Sequence, residues 1–124
     1  MGTPEEPAGG LPRNYLRACV LLLLQERPAH GYDLIEGVRG LGLDRADPGG
    51  LYRAMRAMEQ EGLVTSWWEE SQSGPARRSY SLTAEGREWL HAWAGTLREV
   101  RRHLDIYLSR YAAVELSMPM GGSP

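Results

Sequence analysis

The chain contains no lysine and no phenylalanine. Without lysine, every one of its 14 basic side chains is an arginine, a planar fork that can hold a carboxylate or phosphate through two parallel bonds. Without phenylalanine, Leu, Trp and Tyr must supply the bulk of any core. There is one cysteine, Cys19, so no disulfide can form within the chain. Its setting, RACVLLLL, reads as a buried thiol in a helix core. The apolar run from Ala18 to Leu24 is too short to span a bilayer. No small-residue cleavage site follows it, as a secretory signal would require. A cytoplasmic protein with no membrane partner is therefore expected. The formal net charge of −2 excludes a globally basic nucleic-acid binder, so any DNA contact must come from a local basic patch.

Catalytic chemistry is missing as well. His30, His91 and His103 have no metal-ligand spacing, and twelve residues of one helix separate the last two. His30 reads as a capping or packing residue. No Ser/His/Asp or Cys/His set can be assembled, and no glycine-rich phosphate loop follows a strand. No enzyme activity, cofactor or metal is expected.

The 124 residues suffice for one domain with a real core. Residues 1–12 are rich in Pro, Gly and Glu and predict a disordered tail. A first helix is expected from about Asn14 to Glu26, stopped by Arg27-Pro28. It is apolar nearly all round, which suggests that a second chain covers part of it, with Leu16 and Val20 at that interface. Leu34, Ile35, Val38 and Leu41 give a second helical face, ended by Gly40 and Gly42. Asp47 reads as the N-cap of a third helix with Pro48 at its first position. In that helix Leu51, Met55 and Met58 point inward with Ala54. Tyr52, Arg53, Arg56 and Gln60 share the outward face, and such side chains bond phosphate oxygens and base edges. Gly62 stops the helix.

VTSWWEE and ARRSYSL then flank SQSGP as a hairpin with a loop longer than two residues. Thr83 caps a last helix, from about Ala84 to Ala113. Along it Leu90, Trp93, Leu97, Val100, Leu104, Tyr107 and Tyr111 are spaced alternately by three and four, an a/d seam that wants a partner helix. Three helices, a hairpin and a long helix make a mainly α fold with a small β-hairpin. The predicted architecture is a winged helix-turn-helix DNA-binding domain over 13–83, a dimerisation helix over 84–113 and a disordered tail over 114–124.

HGYDLIEGV (30–38), GLYRAMRAMEQEGLV (50–64), SWWEES (66–71) and GPARRSYSLTAEG (74–86), in this order, resemble the PadR family of transcriptional regulators. The likeness spans roughly residues 15–111, and the single long last helix resembles the smaller PadR subgroup. The resemblance implies a homodimeric repressor on an inverted-repeat operator in double-stranded DNA, with the third helix in the major groove and the wing along the backbone. It implies DNA contacts for Tyr52 and Arg53, with Gly50 opening the same motif. Tyr32 is implied near the backbone, and Arg77 and Arg78 on the basic wing; Arg56 joins them on the outward face. It further implies that Leu63, Trp68, Tyr80 and Leu82 hold the wing on the body. Ser79 stands where the family often has a second aromatic. Trp67 occupies a usually polar position and has no assigned role.

Trp89 and Trp93 lie one turn apart near the start of the dimer helix. With Leu97 they are candidates for the wall of a pocket for a small aromatic or cationic effector, through stacking and cation–π contacts. The plainer reading is that they fill the dimer interface. Two rival functions remain at this point: a winged helix used as a protein-interaction module, and a small-molecule-binding dimer with no DNA role.

Overall fold

The computed structural model describes residues 11–12 and 14–117. Most of the expected N-terminal tail (residues 1–10) and C-terminal tail (residues 118–124) lies outside the described residues. Seven elements follow in order: α1 (Tyr15–Glu26), β1 (Ala29–His30), α2 (Gly31–Gly40), α3 (Pro48–Gln60), β2 (Val64–Glu69), β3 (Arg77–Leu82) and α4 (Ala84–Ser117). The chain divides into two units, residues 1–91 and 92–124. α4 continues from the first into the second.

The first unit holds the core. α1 contributes Ala18, Cys19, Val20, Leu21 and Leu24, α2 Leu34, Ile35 and Val38, and α3 Leu51, Met55 and Met58, all buried. Burying each of the larger ones stabilises the fold by about 1.5–3 kcal/mol before entropy is counted. Val20 does not belong to a subunit interface. It is 0% exposed in the single chain, so its own core uses its whole surface. Of its leucines, α1 leaves Leu22 exposed and Leu16 and Leu23 partly so. Burial also pushes the Cys19 thiol above its ordinary value, which disfavours the thiolate.

α2 and α3 end in the same way. After α2, Gly42 adopts φ 109°, and the amides of Gly42 and Leu43 donate to the carbonyls of Arg39 and Val38. After α3, Gly62 adopts φ 83°, and Gly62 and Leu63 donate to Glu59 and Met58. This is the paired closure that lets a left-handed glycine satisfy the last carbonyls. It reverses the chain sharply, and Leu43 and Leu63 are buried just beyond each turn. At the other end of α3 the Asp47 carboxylate accepts from the Gly50 amide at 3.1 Å, the expected cap.

β2 and β3 form the expected hairpin, in the register Val64↔Leu82, Ser66↔Tyr80 and Trp68↔Arg78. The sequence reading contained no third strand, yet β1 pairs antiparallel to β3 (Ala29↔Tyr80, His30↔Ser79), giving the order β1-β3-β2. The two-residue β1 is too short for any periodicity to show. It also explains why Ser79 is buried: the serine lies in the central strand between two neighbours.

At the start of α4 the Thr83 hydroxyl accepts from the Gly86 amide at 2.9 Å and donates to the Gly62 carbonyl at 2.7 Å. A Cβ on Gly86 would overlap the Leu63 carbonyl oxygen, so this turn of α4 lies directly on the α3–β2 turn. The second unit is the remainder of α4, which runs through Ser117, past the expected end at Ala113. Leu104, Ile106, Tyr107, Leu108, Tyr111, Val114 and Leu116 are all exposed along it.

Candidate nucleic-acid interface

The outward face of α3 is as the hydrophobic period requires. Tyr52, Arg53, Arg56 and Gln60 are exposed, opposite buried Leu51, Met55 and Met58. Two grooves open beside it. The larger, about 550 Å³, is lined by Tyr52, Arg56, Glu59, Trp68, Arg78 and Tyr80. The smaller, about 340 Å³, is lined by His30, Gly31, Tyr32, Asp33, Tyr52, Arg77 and Arg78. Tyr52 and Arg78 belong to both. The fold therefore brings together five of the seven residues expected to meet DNA: Tyr32, Tyr52, Arg56, Arg77 and Arg78. Gly50 and Arg53 stand apart at the first turn of α3. There the Arg53 guanidinium lies alongside the glycines, 3.5 Å from where a Gly49 Cβ would be and 3.7 Å from that of Gly50. The Asp47 carboxylate lies closer still, 3.2 and 3.1 Å from the same two positions, so the arginine shares this helix end with the cap.

Tyr52 is placed by a residue that sequence reasoning did not single out. Its ring rests on Gly31, the first residue of α2. The neighbouring Tyr32 is 64% exposed and points into solvent. Tyr80 backs the larger groove. Its phenol is raised above the ordinary value chiefly by burial, an effect that the Arg78 charge opposes.

The two wing arginines differ. Arg77 is exposed, and Arg53, Arg56 and Arg77 form no ion pair among the described residues. Arg78 is held. Its Nε donates to Ser66 Oγ at 3.1 Å, its guanidinium lies 5.1 Å from the centre of the Trp68 ring, and Glu59 Oε1 stands 3.9 Å away. Trp68 consequently does not hold the wing on the body. It is 63% exposed, because its place near the outer end of β2 sets it opposite Arg78 rather than over the core. Leu63, Tyr80 and Leu82 are buried, as expected. Trp67, on the other face, donates from its indole to Glu69 Oε2 at 3.3 Å.

His30 occupies the N-cap position of α2, but its side chain makes no capping bond. Its Nε2 instead meets Glu69 Oε1 at 3.1 Å. That hydrogen bond is the main cause holding the Glu69 carboxyl below its ordinary range. It ties β1 to the outer end of β2. Trp89 is 50% exposed, and Trp93 and Leu97 are partly buried. No helix among the described residues is long and apolar enough to cross a membrane.

An α2–α3 pair with a basic, aromatic outer face, followed by a wing that carries arginines to the same groove, defines a winged-helix transcription regulator. Residues 20–92 match the family described as "Transcriptional regulator PadR-like family", and the chain belongs to that family. It is 30% identical over 77 residues to "Transcriptional regulator YqjI" of Escherichia coli (strain K12). The match takes in 60% of this chain and 35% of YqjI, so the chain spans about a third of that relative's length. Among solved structures it is similar to a PadR family transcription regulator from Clostridium difficile R20291. That likeness has TM-score 0.69 and 26% identity, and covers 76% of this chain and 98% of the other. It is also similar to a PadR-like transcription factor from Bacteroides fragilis, with TM-score 0.65, 28% identity and coverage of 76% and 90%. The family is one of transcription regulators, not enzymes, and its function implies binding to DNA.

Proposed function

We propose that the chain acts as a homodimer that represses transcription from an inverted-repeat operator. α3 of each protomer enters the major groove and the wing arginines lie along the phosphate backbone. The observation that carries this reading is the shared groove: Tyr52 and Arg78 line both openings beside the outward face of α3. A surface of this kind joins side chains that read base edges to side chains that neutralise phosphate. The apolar side chains left exposed on the second unit, Leu104, Tyr107, Leu108 and Tyr111 among them, support pairing through a second copy of α4. The exposed indole of Trp89 offers a stacking face for a flat aromatic or cationic effector that releases the DNA.

Selection of binding sites from random duplexes with the purified chain, followed by footprinting, tests the proposal. The expected product is two symmetric half-sites whose centres lie one helical turn apart, about 10–10.5 base pairs. Transcription in vitro from a promoter overlapping that site should fall when the protein is added. A single asymmetric site would remove the dimeric reading, and a rise in transcription would remove repression.

A further inference from the structure

Glu59 is an anionic group in a surface that has to meet phosphate. It lies near the C-terminal end of α3 and lines the larger groove beside Arg56 and Arg78. Both of its oxygens are engaged. Oε2 accepts from Ser66 Oγ at 2.7 Å, and Oε1 faces the Arg78 guanidinium at 3.9 Å. Ser66 passes the contact on by accepting from Arg78 Nε at 3.1 Å. The Trp68 ring closes the other side of the guanidinium at 5.1 Å. The result is a continuous chain from the reading helix to the wing: Glu59, Ser66, Arg78, Trp68. A solvated surface carboxylate would not need a hydroxyl bridge to the opposite strand.

We propose that Glu59 is a specificity-determining residue that acts through Arg78: it holds the guanidinium in the groove and masks its charge from the phosphates of DNA on which α3 is not seated. The proposal rests on the DNA-binding reading above. Non-specific binding depends on phosphate neutralisation alone. A phosphate approaching Arg78 from such DNA must share the guanidinium with Glu59, whose own charge repels it. On an operator, α3 brings base edges and backbone to a fixed place. A guanidinium already fixed by a hydroxyl, a carboxylate and a ring can then bond without losing rotamer freedom. The carboxylate thus lowers binding to wrong sequences more than binding to the right one, which is specificity by repulsion of the competitor.

The test uses the full chain with a selected operator duplex and a scrambled duplex, titrated across salt concentration. Glu59→Gln keeps an oxygen that can accept from Ser66 but removes the charge. Its affinity for scrambled DNA should rise about three- to tenfold at low salt, with a salt slope steeper by about 0.9, one added phosphate contact. The ratio of operator to scrambled affinity should fall, with an unchanged melting temperature. In an Arg78→Ala background the same substitution should give a clearly smaller gain, because only the direct repulsion by Glu59 is then removed. Ser66→Ala, which breaks the bridge and leaves the charge, should weaken operator binding while scrambled binding stays as it was. Two results would overturn the inference: a Glu59→Gln protein identical to the parent, or an equal gain in the presence and absence of Arg78, which would mean bulk charge rather than positioning. A parent chain that binds neither duplex at low salt would instead overturn the DNA-binding reading itself.

Discussion

The ring of Tyr52 fills the space that a side chain on Gly31 would need: a Cβ there would stand 2.6 Å from both Cε1 and the hydroxyl oxygen. The glycine of the HGY motif and the tyrosine of the LYR motif are thus two halves of one contact between α2 and α3. Gly31→Ala should swing Tyr52 away from its position. Alanine is otherwise the better helix former, so little stability should be lost, while operator affinity falls by about 1–2 kcal/mol, the loss of one oriented contact. Tyr52→Ala should show a matching loss, and the double variant no more than either alone. Additive losses in gel-shift titrations would mean that Gly31 does not act through Tyr52.

Under the proposed function Arg53 and Arg77 should make different demands on DNA. Arg53 stands beside the glycines of the first turn of α3, and as a base-edge reader its removal should cost about 1–3 kcal/mol on the operator and relax selectivity at one position. Arg77→Ala should weaken all duplexes alike and make the salt slope shallower by about 0.9. Exchanged behaviour in the two titrations would exchange the roles.

The Thr83 hydroxyl joins the start of α4 to the end of α3 through Gly86 and Gly62. Thr83→Ala should lower unfolding free energy by about 1–2 kcal/mol, as loss of a helix cap does. Gly86→Ala should cost more, since its Cβ meets backbone that cannot step aside. Urea unfolding followed by circular dichroism measures both. A Gly86→Ala chain as stable as the parent would show that α4 is not seated on this turn.

Arg17 donates to both oxygens of Glu61, at 2.8 and 3.0 Å. Those bonds are the first cause holding the Glu61 carboxyl below its ordinary value. A carboxyl depressed on folding adds stability above its unfolded value, about 4.3, and loses it as pH falls through the lower folded value. The melting temperature of the parent should therefore exceed that of Glu61→Gln at neutral pH, and the gap should close below about pH 4. A gap constant with pH would assign the difference to something other than this ion pair.

Leu104 is exposed on the second unit. Leu104→Asp should place a charge in the a/d seam and halve the mass seen by light scattering, leaving the winged-helix circular dichroism in place. A parent chain that is monomeric at roughly tens of micromolar, above the micromolar upper end of dissociation constants for interfaces of standard size, would end the homodimer proposal.

Much of the fold was legible because its signals are local. Asp47-Pro48 marks a helix start and Gly62 its stop. The 3.6-residue period separates Leu51, Met55 and Met58 from Tyr52, Arg53 and Arg56. What stayed hidden depends on register and on distant approach. β1 has two residues and no period of its own. Val20 looked like an interface residue because an apolar helix does not reveal which side its own chain covers. The family resemblance set Trp68 among the residues that hold the wing, and only the pairing Trp68↔Arg78 shows that it lies beyond the body, beside the arginine. Glu59 escapes notice because its bond to Ser66 crosses from helix to strand and leaves no spacing to read.

The short strand β1 has a further consequence. It runs directly into α2, so the wing's central strand is bonded on one side to the segment that carries the seat of Tyr52. On its other side it is bonded to β2, which leaves the end of α3 through Gly62. Helix and wing are thus joined through two separate routes, the β1–β3 and the β2–β3 pairings. A reading head braced in this way should keep its shape on a site. On the proposed DNA-binding reading the duplex is then the partner that bends, and base pairs that no side chain touches should still count, through how readily they twist and bend to bring phosphate to Arg77.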